Sequence, residues 1–168
     1  FKSKQIYLIK NIPSGAGLGG ASSDASAFLT LMNKELNLNL KSDELLKISA
    51  TIGADVSFFT SSLQSANVSG FGEILNAFDD EIPSLELLLS SVFCSTPKVY
   101  MAYDANNFHK DINLAKFLST KTSTQILNNY QNYELNDLLA PALTLYPNLQ
   151  ISDDEFLSGS GSAKFKLK

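Results

Sequence analysis

The sequence has 168 residues, enough for one large domain or two small ones, with 44% hydrophobic and 18% charged residues, the balance of an ordinary globular protein. A formal net charge of −4 argues against a nucleic-acid partner, since phosphate backbones attract Lys/Arg-rich surfaces; a small phosphorylated ligand stays open, because local charge can oppose the average. Cys94 is the only cysteine, so no internal disulfide forms and a reducing cytosol is the expected setting. No apolar run reaches the roughly 18 residues needed to span a bilayer, and there is no signal-peptide pattern.

In chain order, residues 5–10 (Gln-Ile-Tyr-Leu-Ile-Lys) are β-branched and aromatic and predict a strand that Pro13 ends. The sequence starts at Phe1, not Met, and residues 1–10 resemble an internal strand, so the natural polypeptide is expected to begin earlier. A loop with Gly15, Gly17, Gly19 and Gly20 follows. Ser22, Ser23 and Asp24 are helix-capping residue types, and beyond them Ala25, Phe28, Leu29, Met32 and Leu36 recur at helical spacing. Ser42 is the expected cap of a second helix, with Leu45, Leu46 and Ile52 inward and Gly53 near its end. Next comes Ala54-Asp55-Val56-Ser57-Phe58-Phe59, a carboxylate among apolar groups. Residues 64–75 predict a strand interrupted by Gly70 and Gly72, and Leu85 to Phe93 another. Thr96-Pro97 is a strong helix start, and several short helices are expected over 97–146, with the polar stretch 104–124 on the surface. Gly159-Ser160-Gly161-Ser162 forms a second glycine-rich turn, and Ala163 to Lys168 alternates like a final strand. The acidic, turn-like residues 79–83 mark a candidate domain boundary.

The first glycine loop carries the most chemistry. Glycines let a backbone approach a ligand closely, and the following helix presents unpaired N–H groups at its positive end, a combination suited to a phosphate chain. Ser22 and Ser23 offer hydroxyls to phosphate or to magnesium. A structural glycine turn with ordinary caps is the alternative. Gly15-x-Gly17-x-x-Gly20 fits the dinucleotide fingerprint, but Glu35, at about the right distance, falls in a helix and residues 37–41 are too polar for the second strand. No Gly-Lys-Ser/Thr occurs, which excludes a Walker loop.

The run Pro13 to Ala25 (PSGAGLGGASSDA) resembles the second motif of the GHMP small-molecule kinases. Gly53-Ala-Asp-Val-Ser-Phe-Phe59 resembles their catalytic-aspartate segment, and Gly70-Phe-Gly-Glu73 the glycine strand after it. Ser95-Thr-Pro-Lys-Val-Tyr100, Asn136-Asp137 and Ser158-Gly-Ser-Gly-Ser-Ala163 match in the same order, most closely in the branch that acts on a cytidine-bearing methylerythritol in non-mevalonate isoprenoid synthesis.

The resemblance implies an α+β fold in two parts. Residues 1–78 would be part of a nucleotide-binding lobe like ribosomal protein S5 domain 2, and 79–168 a ferredoxin-like lobe. It implies transfer of the ATP γ-phosphoryl to a tertiary hydroxyl of the cytidine-bearing substrate, with Mg2+ accompanying ATP. Pro13, Ser14, Gly15, Ala16, Gly17, Leu18, Gly19, Gly20, Ala21, Ser22 and Ser23 would cradle the ATP phosphates. Asp55 would accept the hydroxyl proton, although from the residues alone it reads as a helix cap. Thr96 and Tyr100 would face the cytidine substrate, Tyr100 by stacking, where the alternative is a core aromatic. Gly159, Ser160 and Gly161 would close over the transfer site by backbone approach.

Glu73 and Asp24 are candidate magnesium ligands for which solvated or capping roles compete, and lone His109 lacks a partner at metal-ligand spacing. Two departures stand out: Ala21 replaces a usual glycine, tightening the loop, and Ser57 a usual proline, loosening the turn after Asp55. The family's N-terminal lysine–asparagine motif and Tyr-His pair would precede Phe1, and its last helix and strand would follow Lys168. Homoserine or mevalonate as substrate, and a nucleotide-binding module without catalysis, are the competing readings.

Overall fold

The computed structural model describes residues 5–81, 83–105 and 111–168. His109 lies outside them. Helices and short antiparallel strands share the chain, as an α+β fold requires.

The amino-terminal half is built on α1 (Gly20–Glu35), α2 (Ser42–Ile52) and α3 (Val56–Ser61). Their most buried residues are small. Ser26, Ser49, Ser57 and Val56 are all at most 4% exposed, whereas Phe28 is 44%, Leu36 41% and Ile52 51% exposed. The expected apolar faces of α1 and α2 are therefore only partly inward. Serines let the helices approach closely, and the hydroxyls bond both to their own helices and across the contact: Thr60 Oγ1 donates to the Val56 carbonyl at 2.9 Å and lies 3.0 Å from Ser26 Oγ, and Ser49 Oγ donates to the Leu46 carbonyl at 2.8 Å and lies 3.4 Å from Ser57 Oγ. Ser57 thus sits in the first turn of α3 as a buried polar contact, not in a loosened turn.

Three further expectations are corrected. Residues 5–10 form no strand; Ile6 is 60% and Tyr7 84% exposed, and a strand requires a partner for its backbone groups that the described residues do not supply. Helix α1 begins at Gly20 after a left-handed Gly19, so Ser22, Ser23 and Asp24 lie inside its first turns instead of capping it. Helix α2 is capped at Lys41, whose N–H donates to Glu44 Oε2 at 2.9 Å, leaving Ser42 as its first residue.

Strands β1 (Ala66–Ser69) and β2 (Ile74–Ala77) pair as an antiparallel hairpin, Ala66 opposite Ala77. The predicted interruption at Gly70 and Gly72 is its turn. A Cβ on Gly72 would lie 2.2 Å from the Ala54 carbonyl oxygen, so the hairpin tip presses on the residue preceding Asp55.

The second half holds a three-stranded antiparallel sheet ordered β3 (Leu85–Leu88), β5 (Lys164–Leu167), β4 (Phe156–Leu157). Strand β3 stops short of Phe93. The polypeptide between β3 and β4 forms α4 (Thr96–Ala105), α5 (Ile112–Leu118), α6 (Ser123–Asn129), α7 (Asn132–Leu135) and α8 (Leu139–Leu145). Cys94, Val99, Ala142, Leu149 and Leu157 form its buried core. Burial pushes the Cys94 thiol pKa up, so it is a packing residue. Tyr146 Oη accepts the Ser95 N–H at 2.9 Å, fixing the approach to α4.

Candidate functional site

Two glycine-rich segments distant in sequence interlock in space. Gly17 has φ of 75°, a conformation natural to glycine, and a Cβ there would fall 2.0 Å from the Ser158 carbonyl oxygen. A Cβ on Gly161 would fall 1.9 Å from the Gly17 nitrogen. Neither position has room for a side chain. Ser162 N–H donates to the Gly15 carbonyl at 3.1 Å, Ala163 N–H to the Ala16 carbonyl at 2.9 Å, and Ser158 Oγ to the Gly17 carbonyl at 2.9 Å. The second glycine turn follows the buried strand β4, whose Leu157 belongs to the core, so the core carries the loop.

An open cleft of about 380 Å3 lies along this junction. Pro13, Ser14, Gly15, Ala16, Gly17, Leu18, Gly19, Gly20, Ala21 and Ser22 line it, together with Asp55, Thr96, Tyr100, Gly159 and Ser160. Residues spread over most of the chain are thereby brought to one place. Ser23 and Gly161, also expected at the site, do not line it. Ser23 Oγ donates to the Gly20 carbonyl at 2.9 Å within its own helix, and Gly161 is packed behind the loop against Ala16 and Gly17.

The cleft favours negative charge. Within the described residues, the backbone N–H groups of 18–22 donate to no protein acceptor, while Gly19 and Gly20 carbonyls are engaged by the Ser23 N–H and hydroxyl. Helix α1 is 16 residues long and has no acidic residue in its first turn to offset the positive end that it turns to the cleft. Lys10 also lines it. Its ammonium pairs with Asp24 across the start of α1.

Asp55 occupies the N-cap position of α3, yet its carboxylate accepts no capping hydrogen bond. It is exposed, and it forms part of the wall between this cleft and a second cavity of about 580 Å3 lined by Phe58, Phe59 and Lys121. Phe58 and Phe59 pack edge to face with centroids 5.7 Å apart. A Cβ on Gly19 would meet the Phe59 ring at 2.8 Å, so the aspartate's helix also supports the glycine loop from below.

Tyr100 is 51% exposed with its ring at the cleft, whereas Tyr103, one turn on, is the buried tyrosine of α4. The core-aromatic alternative for Tyr100 is thereby removed. Thr96 Oγ1 accepts from Ser160 Oγ at 2.8 Å. Among the described residues no group of three or more His, Cys, Asp and Glu side chains is arranged to hold a metal ion. Glu73 instead accepts the Phe71 N–H at 2.6 Å and closes the hairpin turn.

Sequence reasoning missed Lys10, whose role depends on how the segment before Pro13 folds back along α1. It gave Asn136 no role. Asn136 Nδ2 donates to the carbonyls of Leu157 at 3.1 Å and Gly159 at 2.8 Å, clamping the second glycine turn. In the sequence Ser158 stands only at the edge of the second glycine motif.

Residues 2–63 match the family described as "GHMP kinases N terminal domain". The 4-diphosphocytidyl-2-C-methyl-D-erythritol kinase of Campylobacter jejuni subsp. jejuni serotype O:23/36 (strain 81-176) is 46% identical over 171 residues, covering 99% of this chain and 67% of that protein. The enzyme of the same name from Helicobacter pylori (strain J99) is 43% identical over 173 residues, covering 97% of this chain and 61% of its own length. A crystal structure of 4-(cytidine 5'-diphospho)-2C-methyl-D-erythritol kinase superposes with a TM-score of 0.67 at 30% identity, covering 94% of this chain and 59% of that one. The chain spans about two thirds of the length of the first of these relatives. It belongs to the 4-diphosphocytidyl-2-C-methyl-D-erythritol kinase family of GHMP small-molecule kinases.

Proposed function

We propose that the cleft transfers the γ-phosphoryl group of ATP to the 2-hydroxyl of 4-diphosphocytidyl-2-C-methyl-D-erythritol, a step of isoprenoid biosynthesis. The observation that carries the reading is the meeting, in one cleft, of the free N–H groups of residues 18–22 with a carboxylate that caps nothing. The N–H groups and the positive end of α1 receive phosphate oxygens, with Lys10 beside them as a cation. Asp55 accepts the hydroxyl proton as that oxygen bonds to the γ-phosphorus. The bond from phosphorus to the β–γ bridging oxygen breaks, and ADP leaves with the charge. Most of the acceleration in such a transfer comes from alignment and charge stabilisation. Tyr100 supplies a flat face for the cytosine ring, and Thr96 sits at the same wall.

Magnesium fits this donor set as a companion of ATP, because Mg2+ is bound mainly by phosphate oxygens and water with one or two protein oxygens. Ser22 Oγ, at the cleft and with no hydrogen bond among the described residues, would offer it one oxygen, where it would neutralise charge on the phosphates; Asp24 is paired with Lys10 and does not line the cleft. The division into lobes at about residues 78–79 would let the first half carry the phosphate loop and Asp55 and the second half Thr96, Tyr100 and the bracing turn. A cytoplasmic setting accords with ATP as donor and with the free Cys94 thiol.

The test is an assay of the enzyme with ATP and, separately, the cytidine diphosphate alcohol, homoserine and mevalonate. Phosphorylation of the first alone is expected. Preference for either of the others would keep the phosphate site and overturn the substrate assignment.

A further inference from the structure

Three successive carbonyls of the phosphate loop, those of Gly15, Ala16 and Gly17, are all taken up by donors of the second glycine turn. Two of these donors are backbone N–H groups, supplied by Ser162 and Ala163 whatever the side chains. The third is a side chain, Ser158 Oγ, at 2.9 Å from the Gly17 oxygen.

A trans peptide points its C=O and its N–H in opposite directions. Ser158, unlike Gly159 and Ser160, lines the second cavity and not the cleft, so holding the Gly17 oxygen toward it directs the Leu18 N–H the other way, to the cleft side of the loop. Gly17 is the residue at which this peptide would rotate most easily, since glycine has no Cβ to restrict it. A rotated peptide would show phosphate a carbonyl oxygen in place of an N–H, replacing attraction by repulsion. The turn itself is held from behind, because Asn136 clamps Leu157 and Gly159, so Ser158 cannot simply follow the loop.

We infer that Ser158 is a positioning residue for the phosphate site: its hydroxyl holds the Gly17 carbonyl out of the cleft and so keeps the loop's N–H groups turned toward the anion. This rests on the reading of the cleft as the ATP phosphate site. It assigns the second glycine turn a bracing role beneath the loop, beyond the closing role expected of Gly159 to Gly161.

The comparison is Ser158→Val against Ser158→Thr in the complete enzyme, because valine and threonine share a shape and differ in the hydroxyl. The measurements are calorimetric affinity for ATP and for inorganic tripolyphosphate, KM for each substrate, and melting temperature. Ser158→Val is expected to weaken tripolyphosphate and ATP alike by roughly five- to tenfold, the loss of one hydrogen bond. The KM for the alcohol should stay within about twofold and Ser158→Thr should restore binding. Unchanged phosphate affinity in Ser158→Val, or equal losses in the valine and threonine variants, would overturn the inference. So would a parallel rise in the KM for the alcohol, which marks a general loosening of the cleft. If Ser158→Val does not fold, Ser158→Ala takes its place in the same comparison. Wild-type enzyme that binds neither ATP nor tripolyphosphate would instead overturn the phosphate-site reading, and this inference with it.

Discussion

The hydroxyl of Ser160 donates to Thr96 Oγ1 at 2.8 Å, joining the second glycine turn to the first residue of α4 across 64 positions of sequence. The turn that braces the phosphate loop therefore also fixes the start of the helix carrying Tyr100. Under the proposed function, the donor and acceptor sides of the cleft share one support, which suits a reaction that depends on alignment.

Tyr100→Ala should raise the dissociation constant of the cytidine substrate by roughly 5- to 150-fold, the range that loss of base–aromatic stacking gives. ATP affinity should hardly move. The ring is half exposed, so the melting temperature should be close to that of wild type, and Tyr100→Phe should retain binding because the ring face is kept. Equal loss for ATP and the alcohol would exclude a stacking role. Titration calorimetry with each ligand separates the cases.

Asp55→Asn preserves size while removing the proton acceptor. Turnover should fall on the order of 100- to 10,000-fold, the usual contribution of a positioned general base. The carboxylate makes no capping bond, so stability should be unchanged. ATP should bind as well or somewhat tighter, since a negative charge beside the triphosphate is removed. Single-turnover kinetics read the effect, and near-normal transfer would leave catalysis to positioning and electrostatics alone.

Ala21→Asp separates the helix from its ligand. Ala21 is exposed in the first turn of α1 and lines the cleft. An acidic residue at a helix N-terminus stabilises the helix by about 0.3–1 kcal/mol, so the melting temperature should stay level or rise slightly. The same charge facing the phosphates should weaken ATP by roughly tenfold, most strongly at low salt. Gly19→Val would be a poorer probe, because its Cβ would strike the Phe59 ring and its φ of 65° suits glycine. It would therefore cost stability as well as binding.

Glu155 gives the protein a defined acid limit. The hydrogen bond from Lys164 at 2.6 Å, the Ser152 N–H and the positive charges of Lys164 and Lys166 hold its carboxyl below the ordinary value of 4.5. A depressed pKa means that the folded state favours the ionised form. The stabilisation is complete above 4.5 and is lost as pH falls from there through the folded value. Glu155→Gln should lower the melting temperature at pH 7 and flatten its dependence on pH below about 4.5. Melting curves from pH 3 to 7 test this, and parallel curves for the two proteins would exclude Glu155 as a source of the acid slope.

The order of motifs was legible in the sequence, because local spacing alone identifies a glycine loop before a helix, an extended segment broken at Gly70 and Gly72, and a Thr-Pro helix start; that the break is a hairpin turn came from the structure. Residue type was enough to mark Asp55 and Tyr100 as candidates, but their capping and core alternatives stayed open, since exposure and hydrogen bonding belong to the folded state. Only the tertiary structure left Asp55 uncapped, exposed Tyr100, and withdrew Ser23 and Gly161 from the cleft. It also decided that serines, with Val56, are the most buried residues of the first three helices while Phe28 and Leu36 of the apolar stripe are exposed and Ala25, Leu29 and Met32 half-buried, and that residues 5–10 have no strand partner among the described residues. The physical reason is common to all of these. A side chain's periodicity is fixed by its neighbours in sequence, whereas what a hydroxyl, a carbonyl or an apolar face meets is fixed by residues a hundred or more positions away, as Ser158 is from Gly17.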